Sequence, residues 1–135
     1  MAWAVEFDGA FRAGFAALDA DVRKAIAAYA LALASEGPQL GRPMADTVKG
    51  STHANMKELR PTVNKVEWRV ADAFDAARQA IVLAAAAKGG RSSALVNRQM
   101  IAKADARFTA HQAAIAAQQT SHADTPRAGR RKPKR

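Results

Sequence analysis

The stretch ADAFDAARQAIVLAAAAKGG, Ala71 to Gly90, decides the fold. By propensity it is one helix, rich in alanine and closed by two glycines. By pattern it can also be two strands. AIVL, Ala80–Leu83, is a compact apolar run, and FDAARQ, Phe74–Gln79, can form the turn before it. Periodicity alone does not separate the two readings.

The flanking segments are clearer. Upstream, MKELR and KVEWRV read as strands joined through a hairpin at Pro61–Asn64. In the second, Val66, Trp68 and Val70 face one way and Glu67 and Arg69 the other. Residues 37–55 are rich in Gly, Pro and polar side chains and read as loop. Before them, Trp3, Val5 and Phe7 alternate as a short strand. Asp8 offers an N-cap, and Phe11, Phe15 and Leu18 mark a first helix. A second helix, capped by Asp19 or Asp21, carries Val22, Ile26, Tyr29 and Leu33 on one face and stops at Gly37–Pro38. The two helices should pack as a hairpin, with Tyr29 in the core rather than in chemistry. Downstream, a helix from Ser93 to about Gln119 aligns Ile101, Ala104, Phe108, His111 and Ile115.

Length allows one domain with one core, expected over residues 1–119. The net charge is +9, and the last ten residues, PRAGRRKPKR, hold six bases and no acid. Residues 120–135 therefore read as a disordered basic tail. Residues 49–107 carry eleven basic against five acidic residues, whereas residues 1–48 carry four against six. A basic middle on an acidic front fits a polyanion-facing surface or a solvated face. No apolar run is long enough to span a membrane. The N-terminus does not read as a secretory signal. The absence of cysteine excludes thiol chemistry and fits a cytoplasmic protein.

At EGPQLGRPMADTVKGSTHANMKELR, and again at WRVADAFDAARQAIVLAA, the chain resembles the HigB-like toxins of bacterial type II toxin–antitoxin systems, within the RelE/ParE superfamily. The resemblance runs from about Trp3 to about His111 and is densest from Gly37 to Gln79. It implies an α+β, RelE-like fold. A small antiparallel sheet should carry two N-terminal helices on one side, with the C-terminal helix packed beside it. It also implies that Gln79–Ala85 is a central strand.

The same resemblance implies metal-independent mRNA cleavage, in many such proteins at the ribosome. It implies inhibition by a helix-turn-helix, HigA-like antitoxin, and operator DNA bound through the toxin–antitoxin complex. Some relatives instead poison DNA gyrase. A homologue with weak or no catalysis could still bind its antitoxin and co-regulate its operon.

Metal-free RNA cleavage needs a base for the 2′-hydroxyl, positive groups for the phosphorane-like transition state, and an acid for the leaving oxygen. Candidate catalytic residues are Arg69, Lys57, Lys88 and His53. Candidate phosphate ligands are Arg60, Arg91 and Lys49. The Trp68–Arg69 pair matches the family's phosphate-contacting arginine. Glu58 and Glu67 are near enough in sequence to neutralise Arg60 or Arg69. The family commonly has GDK after the central strand and an aromatic pair ending in tyrosine at the next helix. Here those positions read Ala86-Ala87-Lys88 and Leu95-Val96-Asn97. The lysine stays, and the acid and the tyrosine are gone. Asn97 cannot transfer protons in water. His111 is expected to be packed on its helix and His122 to lie in the tail. No His/Asp/Glu grouping has metal-ligand spacing, so no metal or cofactor is expected.

Overall fold

A computed structural model describes residues 2–88 and 93–124. The chain runs β1 (Val5–Phe7), α1 (Gly9–Ala16), α2 (Ala20–Glu36), a 3-10 turn (Gly37–Gln39), β2 (Ala45–Thr47), β3 (Lys57–Leu59), β4 (Thr62–Val63), β5 (Val66–Phe74), β6 (Ala80–Ala87) and α3 (Ser93–Asp124). The contested stretch is two strands and a turn. Ala80, Ile81, Val82 and Leu83 are each no more than 1 % exposed. A strand covered on both faces is a continuous apolar run, and this burial outweighs the helix propensity of alanine.

Asp75 makes the turn. Its backbone N–H donates to the Gln79 carbonyl, and its Oδ1 accepts from the Gln79 N–H at 2.9 Å. Arg78 takes a positive φ of 66°, and its guanidinium lies 4.9 Å over the Trp3 ring.

The strand order is β1-β6-β5-β3-β2, with β4 paired to β5 off this path. Neighbours are antiparallel except β1 and β6, which are parallel, so the sheet is mixed rather than wholly antiparallel. Ala71 pairs with Ala84 and Asp72 with Val82. Leu83 is thus an extra residue in β6, a bulge that turns both Leu83 and Ala84 toward the same face.

The sheet separates two cores. On one face Phe11, Val22, Ile26 and Leu33 pack against Leu59, Val70, Ala80 and Val82. Tyr29 joins this packing, half-buried. On the other face Met100, Ala104 and Phe108 pack against Met56, Ala71, Ala73, Ile81 and Leu83. The closing helix therefore covers the face opposite the helical hairpin.

Local details sharpen the sequence reading. Asp8 caps α1, its Oδ2 accepting from the Ala10 and Phe11 N–H groups. Residues 37–55 are not all loop, since they contain β2 and the 3-10 turn. The expected hairpin turn at Pro61–Asn64 is itself partly strand. Thr62–Val63 pairs with Val66–Glu67 around Asn64 and Lys65, both at positive φ, the conformation two-residue hairpin turns favour. Gly37 ends α2 at φ 68°, and a Cβ there would run into the Trp3 indole. The last helix continues past the expected end at Gln119 to Asp124. The basic run from Pro126 lies outside the described residues.

Candidate active site

Strand alternation sorts the charged residues of the sheet. On β3, Lys57 and Leu59 face the helical hairpin, and Glu58 faces the α3 side. On β5, Trp68 and Val70 face the hairpin, and Glu67, Arg69 and Ala71 the α3 side. Glu58 lies directly between its cross-strand partners Asp46 on β2 and Ala71 on β5, with Arg69 one diagonal away.

A chain of ion pairs results. Arg42 Nη2 lies 2.9 Å from Asp46 Oδ2, and Arg60 Nη1 lies 3.6 Å from the same oxygen. Glu58 Oε2 is 3.8 Å from Arg60 Nε and 3.7 Å from Arg69 Nε. Arg69 Nη2 reaches Glu67 Oε1 at 3.3 Å, and Nη1 donates to the Trp68 carbonyl. The network runs from solvent inward: the Arg42 side chain is 75 % exposed, those of Glu58 and Arg69 only 10 % and 8 %. Burial pushes the Glu58 carboxyl above the usual carboxylate range, against the pull of Arg69 and Arg60. The Arg42 hydrogen bond holds Asp46 below it.

The sequence candidates fall in different places. Arg60 and Arg69 come together through Glu58. Lys57 does not join them. Its Nζ donates to the Pro38 carbonyl on the hairpin side, opposite Asp72. The reason is parity: Lys57 shares a face of β3 with Leu59, whereas Glu58, and Arg60 just past the strand's end, turn to the other side. His53 is also drawn elsewhere. Its Nε2 lies 2.9 Å from Thr109 Oγ1, and its ring meets Phe108 edge-on. Ser51 Oγ and the Thr52 N–H donate to the Asp105 carboxylate, so this loop is pinned to the middle of α3. Ala86, the cross-strand partner of Arg69, shares its groove with Val96 and Met100 instead. Those helix positions are roughly 12–20 Å along the axis from the His53 contacts.

Lys88 stays at the arginine end. Its N–H donates to the Glu67 carbonyl and extends the β5–β6 ladder. Lys49 lines a cleft of about 410 Å³ with Gly50, Asn97, Arg98, Ile101 and Asp105. Asn97 Oδ1 is buried there without a partner. Arg91 lies outside the described residues.

Two further acids did not stand out in the sequence. Asp72 is 1 % exposed on the hairpin side, and neither carboxyl oxygen has a hydrogen bond. Burial pushes its pKa up to about 8, opposed by Lys57. Asp75 Oδ2 lies 2.8 Å from His111 Nε2, so His111 is not merely packed on the apolar stripe. The signal for Glu58 was available: it shares strand parity with Arg60, and parity across the hairpin places it with Arg69.

The comparisons agree with this architecture. The chain is 46 % identical over 95 residues to the Mycobacterium tuberculosis protein named "Putative toxin HigB2", covering 70 % of this chain and 47 % of that protein. It is 46 % identical over 76 residues to "Putative toxin HigB3" of the same organism, covering 56 % and 65 %. The chain thus spans about half the length of the first relative and under two thirds of the second. An arginine-to-alanine double mutant of E. coli toxin RelE in the free state superposes with a TM-score of 0.53 at 13 % identity, over 76 % of this chain and 97 % of that one. At that identity the likeness shows the fold. The family model of phage derived protein Gp49-like matches residues 13–109. The chain belongs to this Gp49-like family, is similar to proteins named as HigB toxins, and has the RelE fold.

Proposed function

We propose that the chain is the toxin of a type II toxin–antitoxin pair and that it cuts mRNA without a metal. The observation that carries this reading is the pairing of Arg60 and Arg69 with carboxylates on one sheet face. A guanidinium fork seated on a carboxylate is also shaped for two phosphate oxygens. RNA phosphate exchanging for Glu58 and Glu67 would place two arginines on the charge that develops at phosphorus, usually the largest catalytic contribution. Lys88 extends the same end of the sheet. Lys49 and Arg98 border the neighbouring cleft and would hold flanking phosphates, with Arg91 a further ligand by its place in sequence.

The partners in this reading are a HigA-like antitoxin, mRNA presented on the ribosome, and operator DNA bound through the complex, all in the cytoplasm. No helix among the described residues is long and apolar enough to cross a membrane.

One observation favours a second reading. Arg69 is nearly buried and already satisfied by two carboxylates. A site closed in this way would suit a catalytically weak homologue that binds its antitoxin and co-regulates the operon. Expression of the chain with and without the neighbouring gene product, with transcript ends mapped on ribosomes, separates the two. New ends that vanish in Arg69→Ala support the nuclease. Intact transcripts and normal growth, with stable co-purification of the neighbour, support the binding protein.

A further inference from the structure

Among the described residues, Glu58 is the one carboxylate that pairs with both Arg60 and Arg69. Its Oε2 is 3.7 Å from Arg69 Nε and 3.8 Å from Arg60 Nε, and its side chain is 10 % exposed. Other groups fall away for separate reasons. His53 is committed to α3, and Lys57 and Asp72 lie on the far face of the sheet. Asp46 is tied to Arg42 by a 2.9 Å pair, and Glu67 is 54 % exposed at the rim.

We infer that Glu58 is the catalytic base of this site, taking the 2′-hydroxyl proton once the RNA phosphate has displaced it from Arg69 and Arg60. The inference rests on the nuclease reading above and names its missing proton acceptor. The step balances without a co-reactant. The Glu58 carboxylate takes the proton, and the 2′-oxygen forms a bond to the adjacent phosphorus. The bond from phosphorus to the 5′-oxygen breaks, and that oxygen leaves with its electron pair and takes a proton from water. The products are a 2′,3′-cyclic phosphate and a 5′-hydroxyl, and Glu58 returns its proton to solvent.

The electrostatics run the right way. The groups facing Glu58 are Arg60 just past the end of β3, Arg69 on β5 and Asp46 on β2, with Arg42 beyond Asp46. Burial and Asp46 raise its proton affinity, and the two arginines lower it. A phosphate that neutralises both arginines removes the lowering influence and adds negative charge beside the carboxylate. Substrate binding thus turns an ion-pair partner into a stronger base.

The test compares the full chain with Glu58→Gln and Glu58→Asp on ribosome-bound mRNA and on a short RNA, from acid to neutral pH. Binding of the short RNA's 2′-deoxy analogue and thermal melting are measured alongside. Glu58→Gln is expected to lose roughly 100-fold or more of the cleavage rate. It should bind the uncleavable analogue as tightly as wild type or tighter, because a neutral amide competes less for the arginines. Glu58→Asp is expected to keep part of the rate with its acid limb displaced. Wild-type cleavage matched by folded Glu58→Gln, with the same acid limb, overturns the inference and leaves the nuclease reading intact. If Glu58→Gln does not fold, Glu58→Asp decides, and an unmoved acid limb there overturns the inference. A wild-type chain that leaves both RNAs intact overturns the nuclease reading and this inference together.

Discussion

Asp72 and Lys57 face each other across β5 and β3, yet no ion pair joins them: the ammonium is taken by the Pro38 carbonyl, and the carboxyl is buried with both oxygens unpartnered. Burial pushes the folded carboxyl up to about 8, against about 3.9 for a free aspartate. Between these values the folded chain holds a proton that the unfolded chain has released. Stability from this group is therefore greatest below about pH 4, falls as pH rises toward 8 and levels off above, a change of a few kcal/mol. Asp72→Asn is expected to flatten this slope and raise the melting temperature at pH 8. A mutant that melts with the wild-type slope would remove Asp72 as its source.

On the proposed nuclease reading, Arg69→Ala should do more than reduce cleavage. It leaves Glu58 buried beside Arg60 alone, at a cost of about 3 kcal/mol in urea unfolding. Arg69→Lys keeps the charge and loses the planar fork, so it should recover more of the stability than of the cleavage rate. Equal recovery of both would argue against a forked contact to phosphate.

Lys57→Ala is expected to spare RNA cleavage, because its side chain lies on the hairpin face, away from Arg69. A loss of cleavage as large as that of Arg69→Ala, in a folded chain, would contradict the face assignment.

Gly37→Ala should destabilise the chain by about 1–3 kcal/mol, since the site combines positive φ with a Cβ aimed at the Trp3 indole. Trp3 fluorescence should shift with it. An unchanged melting temperature would mean that the indole has room to move.

The helices were legible because their apolar spacing and caps sit in continuous sequence: Asp8, the Val22–Ile26–Leu33 stripe and Gly37 all act where they read. The segment Ala71–Gly90 was not legible locally. Alanine suits a helix in isolation, and only cover from both faces makes Ala80–Leu83 a strand. For the site, sequence marked the basic side chains, but grouping Lys57 with Arg60 passed over strand alternation, which turns Lys57 to the hairpin face and Glu58 to the α3 side. The Asp105 and Asp75 contacts join positions more than thirty residues apart, and no local pattern announces such pairs.

Those two contacts also bear on how the molecule comes apart. Along α3, Asp105 holds the Ser51–Thr52 loop, and His111 holds the β5–β6 turn through Asp75. Peeling this stretch of helix from the sheet would have to release a loop, a turn and the packing of Phe108 in one event. Backbone amides of Thr52, Gln79 and the helix between residues 100 and 111 should therefore exchange with solvent as one cooperative unit, with a shared opening free energy. An antitoxin that gripped the outer surface of that helix would stabilise the whole group at once, without touching an active-site side chain.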